Sequence, residues 1–158
     1  MVLSCSWING PIGYYYTSWM ISVIMKENTS LDPLGHIILS VSDFDKSRKF
    51  YGRLFDFIGY QTVRDKSDSA AWVSGQGFGF WLKLAAVAGE YVFTSPGLHH
   101  FCFKAQSREQ VDKLYNEFII PNHIRVFDAP AAYPNYTDKY YAVFFADPDG
   151  MKLEYVYY

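Results

Sequence analysis

The sequence predicts an α+β fold built from two repeated β-α-β-β-β modules, whose strands form a curved mixed sheet with the helices on its outer face. Three observations predict it. A stretch alternating between two faces, His36–Val41, is followed by apolar residues at helical spacing. The same order starts again at His100. The chain then closes on two aromatic, β-branched runs, 140–146 and 151–157, joined by Asp147-Pro148-Asp149-Gly150, a tight-turn sequence.

Residues 1–31 read as an aromatic extension and linker. They carry Trp7, Tyr14, Tyr15, Tyr16 and Trp19, and no acidic residue precedes Glu27. The basic start and small-residue cleavage site of a signal peptide are missing. A single domain is expected over 32–158, with module one at 32–95 and module two at 96–158. In module one, His36–Val41 is a strand with Ile37, Leu39 and Val41 on one face. Ser42 or Asp43 can cap the helix that follows, and Ser47, Phe50, Tyr51, Leu54 and Phe55 form its inner stripe. Gly59 ends it. Three short strands follow, 60–64, 70–74 and 79–86, with Gly75-Gln76-Gly77 turning between the last two.

Module two repeats this order. His36 matches His100, and the match runs ungapped through the helix, Asp45 with Glu109, Lys49 with Lys113 and Tyr51 with Tyr115. The second helix has its own capping box, Ser107 with Gln110, and a stripe of Val111, Leu114, Tyr115 and Phe118. Further on, Gly79–Lys83 lies on Gly150–Glu154, so the second half carries an insertion, expected in the Tyr- and Pro-rich loop 129–139. Two units, each too small to bury its own sheet, are expected to pack about a pseudo-twofold axis.

The chain is 50% hydrophobic and 20% aromatic, ample for one core, and its net charge of −2 leaves no footprint for nucleic acid or an anionic membrane. No apolar run is long enough to span a bilayer. Its two cysteines, Cys5 and Cys102, have no paired spacing and suit a reducing cytoplasm.

Alternation places His36, Lys83, His100 and Glu154 on the faces away from the helices. If first and last strands are neighbours, two imidazoles and a carboxylate share one concavity, the donor types of a 2-His-1-carboxylate metal site. Glu154 stands in an otherwise apolar strand, and an unpaired buried carboxylate is expensive. The alternative partner for it is the Lys83 ammonium. His99 points to the wrong face and reads as structural or as a neighbour of the ligand; His123 reads as solvated. Cys102 shares the face of His100 and reads as buried.

The stretches GHIILSVSD, GLHHFCFKA and FFADPDGMKLE resemble the paired-module motifs of the vicinal oxygen chelate superfamily, which includes glyoxalases, extradiol dioxygenases and bleomycin-binding proteins. The resemblance covers 34–158 and implies the glyoxalase-like fold, a small-molecule substrate and often a homodimer. It also implies a divalent metal (Zn, Ni, Mn, Mg or Fe(II)) on His36, His100 and Glu154. Glyoxalase I-like members have a second carboxylate on the last strand of module one, and the internal register puts Lys83 there. The expected function is a metal-dependent lyase or isomerase, or an extradiol-type dioxygenase, in which the metal chelates substrate oxygens and stabilises an oxyanion. Glu154 and Lys83 are its candidate catalytic groups, and Trp81, Lys104, Tyr133, Tyr136 and Tyr140 its candidate substrate contacts. The competing expectation is a metal-free module that sequesters an aromatic compound or antibiotic, with Lys83 paired to Glu154.

Overall fold

The structure is a computed structural model that describes residues 33–92 and 94–158; the expected extension, 1–31, lies outside them. Module one runs β1 (His36–Val41), α1 (Phe44–Ile58), β2 (Gln61–Asp65), β3 (Ser69–Val73) and β4 (Gly79–Leu84). Module two runs β5 (His100–Lys104), α2 (Arg108–Leu114) continuing as a π-helical turn (Tyr115–Ile119), β6 (Val126–Ala132), β7 (Tyr141–Ala146) and β8 (Lys152–Tyr157). Each module is a four-stranded mixed sheet, ordered β1-β4-β3-β2 and β5-β8-β7-β6, with its first and last strands parallel neighbours.

The helices start and bury as their sequences dictate. Asp43 caps α1 by accepting the Lys46 amide, and the amide of Gly59 closes the other end on the Phe55 carbonyl. The buried face of α1 is Phe44, Ser47, Tyr51, Leu54 and Phe55. Ser107 caps α2 through the Gln110 amide, while the Gln110 side chain reaches back to the Gln106 amide. The extra residue of the π turn lets Phe118 and Ile119 both be buried below Leu114.

The two hairpin turns are chemical copies. In Ser74–Phe78, Ser74 Oγ accepts the amides of Gln76 and Phe78, and Gly77 donates to the Ser74 carbonyl. In Asp147–Met151, Asp147 Oδ1 accepts the amides of Asp149 and Met151, and Gly150 donates to the Asp147 carbonyl. Gly77 (φ 92°) and Gly150 (φ 87°) hold the same left-handed position. This corrects the register drawn from the sequence, which matched Gly150 with Gly79. Gly79 pairs with His36 and Lys152 with His100. The counterpart of Glu154 in module one is therefore Trp81, and the counterpart of Lys83 is Val156.

Module two also differs from the sequence expectation at β6, which takes up the first four residues, 129–132, of the expected loop. Pro130, two register irregularities against β7 and an edge position hide it from a search for alternation. The connection from β6 to β7 spans 133–140, against 66–68 between β2 and β3.

One core joins the modules. Phe55 of α1 lies 4.9 Å from Phe80 of β4 and 5.6 Å from Phe103 of β5, and Phe80 lies 5.4 Å from Phe101 (ring centroids). Helix-side residues of both sheets thus share one core, and the side chains that alternate with them lie on each sheet's outer face. The Asp147 turn ties the halves again. Tyr51 donates to Asp147 Oδ2 at 2.8 Å, and the Ser42 amide donates to Asp149 Oδ2 at 2.8 Å. Among the described residues, no helix is long and apolar enough to cross a membrane.

Candidate functional site

Glu154 sits mid-strand in β8, between β5 and β7, opposite Cys102 and Phe144. It is 2% exposed, so its carboxylate must be satisfied by protein groups. Two groups do this. Tyr140 donates to Oε1 at 2.6 Å, and His100 Nε2 stands 3.0 Å from Oε2. His100 comes to this place because β5 and β8 are parallel neighbours, as the alternation argument required. Its other ring nitrogen, Nδ1, lies 2.7 Å from Nδ1 of His99. His99 is thus a direct neighbour of the candidate ligand.

Around this pair the outer face of module two is aromatic. Phe127, Tyr133 and Tyr140 pack on Ala142, Phe144 and Val156. Tyr140 stacks on Tyr158 with centroids 5.4 Å apart, and Tyr136 approaches Tyr140 at 5.0 Å while remaining 69% exposed. Lys152 lies over Phe144 at 4.3 Å and Lys104 over Tyr158 at 4.4 Å. Burial, followed by the bond to Glu154, holds the Tyr140 phenol well above its usual range, so it stays a donor at any working pH. Cys102 is exposed rather than buried as expected. Burial by surrounding groups and the Glu154 carboxylate push its thiol up to about 12. A thiol that stays protonated is a poor nucleophile.

His36 is on the other sheet. It shares the outward face of module one with Ile38 (46% exposed), Trp81 and Lys83. Gly79 gives it room, since a Cβ there would come within 3.0 Å of the His36 Cβ. One chain brings together His100, Glu154, Tyr133, Tyr136, Tyr140 and Lys104; among the described residues no cluster joins His36 to His100 and Glu154, and Trp81 and Lys83 lie with His36 on the sheet of module one. The pairing of Lys83 with Glu154 is accordingly not an arrangement of a single chain; the carboxylate's partners are His100 and Tyr140.

The donors present fit two positions of a metal site. Two ligands at right angles, each about 2.1 Å from one ion, stand roughly 3 Å apart, the spacing of His100 Nε2 and Glu154 Oε2. The third donor is lacking in one chain, and among the described residues no three His, Cys, Asp or Glu side chains converge. Sequence reading missed Phe127, Phe144, Lys152 and Tyr158. Lys152 stands two residues before Glu154 on one strand, and Phe144 stands opposite it, so period-two alternation carried to β7 and β8 identifies both.

Comparison with known proteins agrees with this architecture. The model of the Glyoxalase/Bleomycin resistance protein/Dioxygenase superfamily matches residues 33–155. The chain is similar to the uncharacterized protein YqjT of Bacillus subtilis (strain 168), 30% identical over 126 residues, 77% of this chain and 95% of that one. Its fold is similar to a glyoxalase/bleomycin resistance protein from Albidiferax ferrireducens T118, at TM-score 0.66 and 22% identity, over 80% of this chain and 100% of that one. It is also similar to a lactoylglutathione lyase from Agrobacterium tumefaciens, at TM-score 0.58 and 22% identity, over 80% of this chain and 93% of that one. Paired β-α-β-β-β sheets, and a family match that spans nearly all the described residues, lead to one conclusion: the chain belongs to the glyoxalase/bleomycin resistance protein/dioxygenase superfamily.

Proposed function

We propose that the chain is a metal-dependent enzyme acting on a small molecule with adjacent oxygen atoms, and that its site is completed by a second copy. The observation that carries this reading is the buried Glu154 with His100 at 3.0 Å, while His36 stands on the outward face of the other module. In a homodimer, His100 and Glu154 of one copy would meet His36 of the other, giving two sites per pair. A divalent metal there would supply Lewis acidity, polarising the substrate's oxygens and stabilising an oxyanion.

The protein groups divide the remaining work. Tyr140 fixes one oxygen of Glu154, leaving Oε2 to bind a metal or to take a proton. The aromatic wall of Tyr133, Tyr140, Phe144 and Tyr158 excludes water and stacks on a flat substrate. Lys104 gives an anionic substrate a counter-charge, as would Lys83 brought with His36 by the second copy. Trp81, where module one has the counterpart of Glu154, contributes no carboxylate, so the ligand set is three protein donors. This reading favours lyase or isomerase chemistry if the metal is nickel, zinc, manganese or magnesium; bound iron would redirect it to oxygenase chemistry.

Mixed dimers test it. His36→Ala and Glu154→Gln proteins should each lose metal binding. Refolded together in equal amounts, they should recover about a quarter of the wild-type metal content, because half the dimers then hold one intact site. A monomer in gel filtration, or metal retained in both variants, rejects the shared site. The second reading, a metal-free module that sequesters an aromatic compound, is favoured by the aromatic wall and by Glu154 being satisfied within one chain. It expects no metal in protein purified without chelator, together with unimpaired aromatic binding in His100→Ala.

A further inference from the structure

The chain has a second concavity, on the helix side of the fold and separate from the face that carries Glu154. It is a cavity of about 370 Å³ between α1, the π turn and the Asp147 turn. Lys46, Lys49 and Arg53 line it at helical spacing, so three cations project from one face of α1. Among the described residues, none of the three has a carboxylate within ion-pair distance, although the neighbouring Arg48 bridges Asp45 and Asp65. Three uncompensated cations over a cavity are unexpected in a chain with net charge −2. The one carboxylate in the lining, Asp147, is turned inward, its oxygens taken by Tyr51 and two backbone amides.

The floor is apolar. Half-buried Phe50 meets the buried Phe118 with centroids 5.8 Å apart and planes tilted by 56°, and Arg53 lies over Phe118 at 5.9 Å. At the mouth, the turn after the π helix puts His123 at φ 51°, the one positive φ of a non-glycine residue among those described. Its amide and that of Ile124 close the helix end on the carbonyls of Ile120 and Ile119, a place that glycine commonly fills without strain. The backbone thus holds His123 in the left-handed region, within the lining of the cavity.

We propose that this cavity binds a small molecule carrying a phosphate dianion next to a flat ring, with Lys46, Lys49 and Arg53 on the phosphate and the ring against Phe50. Electrostatic attraction to Lys and Arg, combined with stacking on an aromatic floor, distinguishes such a ligand from a bare anion and from a neutral ring.

The test is calorimetric titration of the full chain with AMP, adenosine and inorganic phosphate as probes. AMP is expected to bind one per chain. Adenosine and phosphate should each bind at least tenfold more weakly, and AMP affinity should fall as salt rises. The Lys49→Gln/Arg53→Gln variant should lose at least tenfold in AMP affinity, and Lys49→Arg should retain it. His100→Ala should bind AMP as the wild type does. The proposal is overturned by no saturable AMP binding, by adenosine or phosphate binding as tightly as AMP, or by AMP binding lost in His100→Ala, which would move the ligand to the other face. Thermal melts of the double variant guard against misreading an unfolded protein, and AMP affinity unchanged in a folded double variant also rejects the site.

Discussion

The two modules share a scaffold and differ in what they hang on it. Their turns have the same hydrogen bonds, and their first and last strands pair in the same register. Yet the outer face of module two holds a buried carboxylate, an imidazole and a wall of aromatic rings, while that of module one holds His36, Trp81, Lys83 and an exposed Ile38. Backbone geometry repeats because turn and ladder chemistry repeat. The site does not, because one position, Trp81 against Glu154, carries opposite chemistry. One core joins the two modules, so what differs between them lies on the outer faces.

The most severe way to break the comparison is to attack what the modules share. Phe55 touches Trp72, Tyr60 and Phe80 of module one and Phe103 of module two. Phe55→Ala should cost about 3–5 kcal/mol and lower stability in one cooperative transition, read by urea unfolding with fluorescence and circular dichroism. Two separated transitions would mean that the modules are independent units, contrary to the shared core.

A smaller effect probes what they do not share. The Tyr140 hydroxyl donates to Glu154, a carboxylate whose counterpart in module one is Trp81. On the proposed metal site, Tyr140→Phe should leave the fold intact and weaken metal binding about 10–100-fold, because the carboxylate loses the donor that orients it. Competition titration against a chromophoric chelator measures this. Affinity unchanged by the substitution would show that the phenol is packing alone.

How much of this was legible follows from which physical signal each feature leaves. Helical stripes and caps survive in the sequence, so α1 and α2 could be read residue by residue. Alternation gave the face of each side chain, which was enough to set His100 beside Glu154. It carries no information on how two sheets pack, and the Phe80–Phe101 contact joins residues of different modules. The register slipped because two glycines serve different ends. Gly150 is there for its positive φ and Gly79 for its closeness to His36, and a one-letter match cannot tell these apart. Pro130 concealed β6 by breaking the pattern that marks a strand.

The smallest predicted effect lies in the copied turns. Ser74 and Asp147 accept the same pair of amides, but Asp147 is buried and also takes the Tyr51 hydroxyl. Burial raises its carboxyl above the ordinary value of 3.8, outweighing the hydrogen bonds from Tyr51, Met151 and Asp149 that favour the charged form. With the folded pKa raised, the folded state holds the proton more firmly than the unfolded chain. The stabilisation from this group is therefore complete below pH 3.8 and is lost as pH rises through the folded value. Asp147→Asn keeps an oxygen for the two amides and a polar partner for Tyr51, and it removes the titration. Urea unfolding across pH 4–7 should thus show a smaller loss of stability with rising pH in the variant than in the wild type. Asn at this position should therefore compare least favourably with wild type at the acid end. Parallel pH profiles for the two proteins would mean that water reaches the carboxylate, and that the charged form stands in module two as cheaply as the Ser74 hydroxyl does in module one.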